Sequence, residues 1–255
     1  KDAFCRRVDT ISQNDKAAIA DGKYIMLYFD ILHFKAVNDI FGKSEGDKLL
    51  SYIANYISEK LKGKGFACRL GGDRFCVFAK PLQMDNLEET LLKFLEKIKG
   101  FMPSFKVICN IGIYVTNNEL LVASEMIARA ILAQAAIKGS YISSINFYTE
   151  ELRSALLSEQ EIVGVMGEAL SEKQFVIYFQ PQYEHSTKML VGAEALVRWI
   201  HPTKGIISPA DFIPIFEKNG FITDLDLYVF SQTCAFQKKC LENKMRIVPI
   251  SINFS

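Results

Sequence analysis

One stretch decides how the first half of the chain folds: Cys68-Arg69-Leu70-Gly71-Gly72-Asp73-Arg74-Phe75-Cys76-Val77-Phe78. Two short apolar runs flank a Gly-Gly pair, and glycine readily adopts the positive φ that tight hairpin turns require. The pattern therefore predicts a β-hairpin over residues 66–79, with the acidic Asp73 and the basic Arg74 directly after the turn. Most such turns bind nothing, so the meaning of this one depends on the rest of the chain.

The composition is that of an ordinary soluble globular protein: 255 residues, 49% hydrophobic and 23% charged. A formal net charge of +1 argues against DNA or RNA binding through bulk electrostatics. No apolar run approaches the ~18 residues of a membrane span. The six cysteines lack the paired spacing of zinc sites, which favours reduced, buried thiols in a cytoplasmic protein. The chain opens on Lys1, so we expect a fragment of a longer protein, and an upstream membrane or sensory region stays open.

The first half alternates predicted strands and helices around the hairpin. Hydrophobic periodicity predicts helices over residues 3–20, 44–61, 84–98 and 120–138, and strands over 23–30, 105–115 and 145–148. Ser44 followed by Asp47 resembles a capping box at the start of the second helix. This alternation predicts an α/β (α+β) domain whose mixed sheet is covered by helices.

The second half repeats the alternation after a long helical connection. Periodicity predicts a helix over residues 150–172, strands over 175–180, 191–199 and 247–254, and helices over 208–218 and 222–243. Strand, helix, strand is the unit of a parallel sheet or barrel. We predict a first domain over residues 1–148, a helical linker that begins the second domain over 149–172, and an incomplete second domain over 173–255.

Carboxylates mark the candidate chemistry of the first half. Asp30 ends a predicted central strand, and if the hairpin lies beside that strand, Asp73 converges with it to hold Mg²⁺. Lys35 is placed to meet a phosphate, and Asn38 with Asp47 to read a purine edge. Read singly, these residues leave alternatives open: Asp30 as a helix cap, Asp47 as a capping-box acid only, and Lys35 as a solvated charge.

Taken together, these residues resemble the GGDEF family of diguanylate cyclase domains. The matching motifs are Asp30-Ile31-Leu32-His33-Phe34-Lys35-Ala36-Val37-Asn38-Asp39, then Gly42, Gly46-Asp47 and Leu70-Gly71-Gly72-Asp73-Arg74-Phe75. The resemblance covers residues 1–148 and implies a nucleotidyl-cyclase or polymerase-palm fold. In active members two such domains, each holding GTP, form cyclic di-GMP by a two-metal mechanism. It therefore implies GTP and cyclic di-GMP as ligands, Mg²⁺ (or Mn²⁺) as cofactor and a homodimer as partner.

The resemblance also assigns individual residues. It implies metal ligands at Asp30, the carbonyl of Ile31, and Asp73, and nucleotide contacts at Phe34, Lys35, Asn38, Asp47, Gly71 and Gly72.

Several family positions are changed here. The motif's fourth residue, an acid needed for catalysis, is Arg74, which removes an oxygen ligand and repels a cation by roughly several kcal/mol at close range. A late Lys and Arg for the phosphates align with Ala136 and Ser140, and Lys138 lies two positions off. Residues 62–65 lack the family's Arg and Asp of the inhibitory site. We therefore expect a degenerate domain that is inactive as a cyclase.

The second half resembles the EAL family of cyclic-di-GMP phosphodiesterases, which have a (β/α)₈-type barrel. The matching motifs are Tyr178-Phe179-Gln180-Pro181-Gln182, Gly192-Ala193-Glu194-Ala195-Leu196-Val197-Arg198-Trp199, His201-Pro202, Gly205, Ile207-Ser208-Pro209, Phe212-Ile213-Pro214 and Ser251-Ile252-Asn253-Phe254-Ser255. The resemblance implies metal ligands at Glu194 and Asn253 and substrate contacts at Gln180 and Arg198.

The barrel is expected to be incomplete. Such barrels take ~200 residues or more, so the chain holds only the N-terminal portion and no complete catalytic set. We expect this portion to pack against the first domain or a second copy, or to be a truncated remnant. The predicted function is a degenerate GGDEF domain that regulates a cyclic-di-GMP phosphodiesterase in the full-length parent, with residues 1–255 alone inactive. The alternatives are a non-catalytic GTP-sensing or dimerisation module and, third, an active diguanylate cyclase.

Overall fold

A computed structural model describes residues 1–80, 86–102, 105–137 and 142–254 of the chain. Within these ranges the chain forms two compact units, Lys1–Arg153 and Ser154–Ser255. The predicted division at residues 148 and 172 stays a prediction. In the part of the chain that is described, no helix combines the length and apolar character needed to cross a bilayer.

The first unit alternates helices and strands. Its elements are α1 (Asp2–Asn14), α2 (Lys16–Ala20), β1 (Ile25–Leu32), α3 (Phe34–Phe41), α4 (Lys43–Lys60), β2 (Gly65–Gly71), β3 (Arg74–Ala79), α5 (Leu87–Lys99), β4 (Ile108–Val115), α6 (Ala123–Ala135), β5 (Ser144–Phe147) and the start of α7 (Glu150–Ser171).

The strands of this unit form the predicted mixed sheet, in the order β2-β3-β1-β4-β5. β1 lies at the centre, antiparallel to both β3 and β4, and β5 runs parallel to β4. Alternate residues of β1 enter opposite cores, so Leu27 packs with α4 and α5 while Tyr28 packs with α1 and α6. Burial on both faces explains why the sequence of β1 is an unbroken apolar run up to Asp30.

The predicted hairpin is confirmed as β2 and β3, which pair as far as Gly71 with Arg74 and are joined by Gly72 and Asp73. Gly71 has φ of 125° and Gly72 has φ of 60°, conformations that residues with a Cβ rarely adopt. The Gly-Gly pair is therefore a backbone requirement of this hairpin. Asp73 lies within the turn and not after it as predicted, because Gly71 still pairs with Arg74, where β3 begins.

Two local predictions near the candidate site are wrong. β1 does not end at Asp30, because Ile31 and Leu32 continue the pairing with β4, so Asp30 is not a helix cap. The residue at the N-cap of α3 is His33, which has a left-handed φ of 57°. α4 begins with Gly42 at its N-cap and without a side-chain capping bond, so Asp47 is not part of a capping box.

Other predicted boundaries shift or cannot be compared. The helix predicted over residues 3–20 is interrupted at Asp15, which separates α1 from α2. The predicted helix start at Met84, and the family positions Lys138 and Ser140, lie outside the described residues.

The second unit adds α7 after Arg153 and a second sheet. Its further elements are β6 (Phe175–Tyr183), β7 (Leu190–His201), β8 (Gly205–Ile207), α8 (Pro209–Asn219), α9 (Ile222–Glu242) and β9 (Ile250–Ile252).

This second sheet is open in the described residues, as expected for part of a barrel. β6 and β7 form an antiparallel pair, and β9 lies parallel to β7 after the two intervening helices, which confirms the predicted strand-helix-strand unit. The three-residue β8, which pairs with β7, was not predicted because it is too short to show periodicity. Trp199 is fully buried against Phe175, Phe212 and Phe216, with ring centroids 5.1 to 6.1 Å away.

Candidate functional site

The hairpin turn and the end of β1 form the candidate site of the first unit. β1 and β3 pair from Ile25 with Ala79 to Phe29 with Phe75, so the turn of the hairpin lies beside the last residues of β1. The Oδ2 atom of Asp73 accepts a hydrogen bond from the backbone N–H of Ile31 at 3.2 Å.

Asp30 is the residue before Ile31 and is partly buried. Its Oδ1 accepts a hydrogen bond from the Nε2 amide of Gln134 at 2.7 Å. Burial raises the pKa of the Cys109 thiol well above its ordinary value, and the charges of Asp30 and Asp73 add to the rise. Cys109 pairs with Ile31 across β1 and β4, so both carboxylates act electrostatically on the same point of the sheet.

The donor set fits a hard divalent cation. The carboxylates of Asp30 and Asp73 and the carbonyl of Ile31 supply oxygen atoms of the kind that Mg²⁺ prefers. No cluster of three or more His, Cys, Asp or Glu side chains with metal-binding geometry exists among the described residues. A cation here would therefore need further oxygen ligands from water or from the phosphates of a substrate, as is usual for Mg²⁺.

Arg74 brings a positive charge to the same turn. Its exposed side chain reaches back, and Nε lies 3.4 Å from the carbonyl oxygen of Gly71. Burial raises the pKa of Tyr28 to about 12, with Asp30 raising it further and Arg74 opposing the rise. The charges of Arg74 and Asp30 thus have opposite effects on the pKa of the same hydroxyl.

The predicted guanine contacts are brought together by a glycine. A Cβ atom on Gly46 would overlap Oδ1 of Asn38 and would lie 3.1 Å from the ring of Phe34. Asn38 and Phe34, on α3, therefore pack directly on the backbone of α4 at Gly46. Asp47 is the next residue and is exposed, as is Lys35 on α3.

The predicted residues of the second unit also share one place. Gln180 lies opposite Glu194 across β6 and β7, and the Nδ2 amide of Asn253 donates a hydrogen bond to Oε1 of Glu194 at 2.9 Å. Arg198 lies four residues further along β7 on the same face, with its guanidinium 5.9 Å from the ring centroid of Tyr178. Arg198 and Asn253 also contribute to the lining of a cavity of about 220 Å³.

A more apolar cavity lies elsewhere in the first unit and holds none of the predicted site residues. It measures about 370 Å³ and is lined mainly by core side chains such as Leu27, Val77 and Leu91. These belong to the core that packs with α4 and α5. The predicted site residues of this unit lie at and beside the hairpin and not around this cavity.

Gln134 was missed by the sequence analysis. It lies on α6 among buried Ala and Met residues, at helical spacing from Ala130 and Ile127. A single polar residue in such an apolar stripe was the available signal, because a buried amide requires a hydrogen-bonding partner.

Comparison with known protein families gives two matches. The description "Diguanylate cyclase, GGDEF domain" matches residues 7–139, more than half of the chain, and "EAL domain" matches residues 166–255.

Two similar proteins are longer than this chain. The bifunctional diguanylate cyclase/cyclic di-GMP phosphodiesterase MucR of Pseudomonas aeruginosa is 27% identical over 97% of this chain and 37% of its own length. The cyclic di-GMP phosphodiesterase NbdA of the same organism is 28% identical over 82% of this chain and 27% of its own length. The chain thus spans about a third of the curated relatives it matches.

A solved structure supports the fold of the first unit. The isolated GGDEF domain of TpbB (YfiN) from Pseudomonas aeruginosa superimposes with a TM-score of 0.51 and 22% identity, covering 62% of this chain and 94% of that one. The chain therefore belongs to the GGDEF–EAL family of cyclic-di-GMP signalling proteins, with a GGDEF domain at residues 7–139 followed by an EAL segment at residues 166–255.

Proposed function

We propose that the first unit binds GTP with a divalent cation without condensing it, and that in the full-length parent it regulates an EAL domain that hydrolyses cyclic di-GMP. The observation that carries the first part is the approach of Asp73 to Ile31 beside Asp30, with Arg74 at the same turn. GTP binding and GTP condensation are separable at this site. The ligands for a metal ion remain, whereas the acid that condensation requires is replaced by Arg74.

In the proposed site, one group of residues binds the cation at the phosphates and another binds the guanine base. Asp30, the carbonyl of Ile31, and Asp73 would hold Mg²⁺ or Mn²⁺, which neutralises charge on the phosphates. Asn38 and Asp47 present an amide and a carboxylate. The carboxylate accepts hydrogen bonds from the N–H groups of guanine, and the NH₂ group of the amide donates to its carbonyl.

A further contribution to GTP binding comes from the surface beside the cation site. Phe34 and the exposed Lys35 lie on α3, and Lys35 serves as a point charge for a phosphate. Gly71 and Gly72 carry no side chains, which allows a nucleotide to approach their backbone closely.

The proposed phosphodiesterase role of the parent rests on the second unit. Glu194 and Asn253 are joined by a 2.9 Å hydrogen bond, and Gln180 and Arg198 lie on the same sheet face. Oxygen ligands from Glu194 and Asn253 suit a divalent cation, and a nearby arginine suits a phosphodiester.

Calorimetry on the chain tests the first part. We expect heat on adding GTP in the presence of Mg²⁺ and at least about tenfold weaker binding of ATP, since ATP lacks the guanine edge. Asp73→Asn is expected to weaken GTP binding, and the exposed Asp39→Asn serves as the matched control. Absence of heat at millimolar GTP would reject the nucleotide site, and cyclic di-GMP among the products would reject the non-condensing assignment.

Turnover by the full-length parent tests the second part. We expect hydrolysis of cyclic di-GMP that requires a divalent cation and is lost in Glu194→Gln. The exposed Glu184 lies on the same chain segment, and Glu184→Gln is expected to keep the activity. A parent that hydrolyses cyclic di-GMP equally well with Glu194→Gln would contradict the assignment.

A further inference from the structure

Gln134 is a buried residue whose side-chain amide donates a hydrogen bond to the carboxylate of Asp30. It is 3% exposed, and its Nε2 lies 2.7 Å from Oδ1 of Asp30. A carboxylate only accepts hydrogen bonds, so the NH₂ end of the amide must face Asp30. The contact joins residues that are 104 positions apart in the sequence.

The backbone around Gln134 is fixed by a close approach of α6 to β4. A Cβ atom on Gly112 would overlap the carbonyl oxygen of Ala130 and would lie 2.5 Å from the backbone nitrogen of Gln134. The glycine thus allows α6 to rest directly on the strand beside β1. Because the helix backbone is held against the strand at this point, the position from which the Gln134 side chain reaches Asp30 is fixed.

Asn110, another buried amide in the same unit, shows what a purely structural role looks like. Its Nδ2 donates to the carbonyl of Ile137 at 3.2 Å, and its Oδ1 accepts from the backbone N–H of Ser144 at 3.2 Å. The hydroxyl of Ser144 donates to the same Oδ1 at 3.3 Å, and none of these partners is charged, so Asn110 connects segments of the fold. The amide of Gln134 instead donates to a charged side chain at the candidate site.

We infer that Gln134 is a positioning residue that orients the Asp30 carboxylate for a divalent cation. This inference rests on the proposed function, since it assumes that Asp30 is a ligand. A donor on one carboxylate oxygen restricts the rotation of the carboxylate, so less orientational freedom is lost when the cation binds. Loss of such an outer partner typically weakens metal affinity about 10- to 100-fold.

The test compares Gln134→Met with a control on the same helix. Gln134→Met keeps the volume and removes the donor. The control, Asn146→Leu, removes the hydrogen bond from Nδ2 of Asn146 to the carbonyl of Ala133. That bond also holds α6 against the sheet, but it does not involve Asp30. Mn²⁺ binding is measured by the loss of the free-ion electron paramagnetic resonance signal, and GTP binding by calorimetry in EDTA.

We expect Gln134→Met to bind Mn²⁺ about 10- to 100-fold more weakly, with GTP affinity in EDTA unchanged. Asn146→Leu is expected to match the wild type in both. Equal Mn²⁺ affinity in Gln134→Met and wild type overturns the inference alone, as does an equal loss in both variants, which would assign the effect to helix seating. A wild-type protein that binds no Mn²⁺ rejects the proposed cation site and this inference with it.

A measurement on the wild type decides the matter if Gln134→Met does not fold. Addition of Mg²⁺ is expected to shift the side-chain amide resonances of Gln134 and to leave those of Asn146 in place. Unmoved Gln134 resonances at saturating Mg²⁺ would overturn the inference.

Discussion

The carboxylate of Asp73 accepts a hydrogen bond from the backbone N–H of Ile31 at 3.2 Å, which joins the hairpin to the central strand. In an antiparallel strand the N–H and C=O of one residue point to the same side. The carbonyl of Ile31 therefore also faces the hairpin, on the side from which Asp73 approaches. One residue pair thus aligns two of the three proposed cation ligands, and the charge at Arg74 acts on the same place.

Reversing the charge at Arg74 is expected to strengthen cation binding. Arg74→Glu removes a positive charge beside Asp73 and adds an oxygen ligand, so the affinity for Mn²⁺ should rise by about tenfold or more. Titration of Mn²⁺ into the wild type and the variant measures the change.

Arg69 provides the matched control for that change. It flanks the same turn from β2, and its Nε donates to the carbonyl of Gly72 at 2.6 Å. Arg69→Glu alters the net charge equally, but on the opposite strand of the hairpin from Arg74. An equal gain in both variants would mean that overall charge sets the affinity, contrary to a local effect at Arg74.

A methyl group at Gly46 is expected to separate stability from nucleotide binding. Gly46 lies in the first turn of α4, where alanine favours helix by up to about 1 kcal/mol over glycine. The new Cβ would overlap Oδ1 of Asn38 and move that side chain away from its place beside Asp47. We therefore expect Gly46→Ala to weaken GTP binding about tenfold while the free energy of unfolding changes little, as calorimetry and urea titration would measure.

Gly164→Ala is the control that separates the effect of helix propensity from the effect of the clash with Asn38. Gly164 lies inside α7, and a Cβ there would meet nothing within 4 Å. This control should gain helix stability and leave GTP binding unchanged. Unchanged GTP binding in Gly46→Ala as well would argue that Asn38 does not contact the nucleotide.

The features that the sequence predicted are local. The hairpin follows from a Gly-Gly pair whose φ values only glycine adopts easily, and the helices follow from apolar spacing along each segment. The nearness of Asp73 to the end of β1 was a conditional prediction, since it required the hairpin to lie beside that strand. The register of β1 and β3 meets the condition.

The features that the sequence did not predict depend on distant packing. Whether Asp30 ends its strand is decided by the pairing of Ile31 and Leu32 with β4, which lies about 80 residues later in the sequence. The contact of Gln134 with Asp30 depends on how closely α6 approaches the sheet, which Gly112 controls. Neither relationship leaves a periodic signal in its own segment.

The cysteines are expected to differ widely in reactivity. Cys234 is exposed, whereas Cys76 and Cys109 are buried. Burial raises the pKa of the Cys76 thiol to about 12 and that of Cys109 well above its ordinary value. Since the thiolate is the reactive form, iodoacetamide at pH 8 should modify Cys234 and spare the other two until the protein is unfolded.

Peptide mass spectrometry of the labelled protein measures this order, and labelling in urea is the control for intrinsic reactivity. The raised pKa also fixes the sign of a pH effect. The neutral buried thiol of Cys76 stabilises the fold fully below the unfolded pKa of ~8.5, and this contribution is lost as the pH rises toward about 12. Native-state labelling of Cys109 as fast as Cys234 would contradict the burial of this thiol beside Ile31.

Replacement of Arg129 is expected to destabilise the first unit. Its side chain is only 13% exposed, pairs with Glu119 at 2.5 Å and Glu150 at 3.5 Å, and lies about 5 Å from the rings of Tyr114 and Tyr148. Arg129→Met removes the ion pairs and the cation–π contacts but keeps a long apolar side chain. The two carboxylates are about half exposed and stay hydrated, so we expect a loss of about 1–3 kcal/mol in the free energy of unfolding, and not the larger cost of a stranded buried charge.

Arg153→Met isolates the contribution of burial in that loss. Arg153 pairs with the same Glu150 at 3.5 Å, but its side chain is 53% exposed. Exposed ion pairs contribute little, so the free energy of unfolding should change by less than about 0.5 kcal/mol. Hydrogen exchange of the β4 amides reports on the first unit, whereas the single tryptophan, Trp199, lies in the second. Equal losses in the two variants would show that the Glu150 pair, and not the burial of Arg129 between two tyrosines, anchors the start of α7.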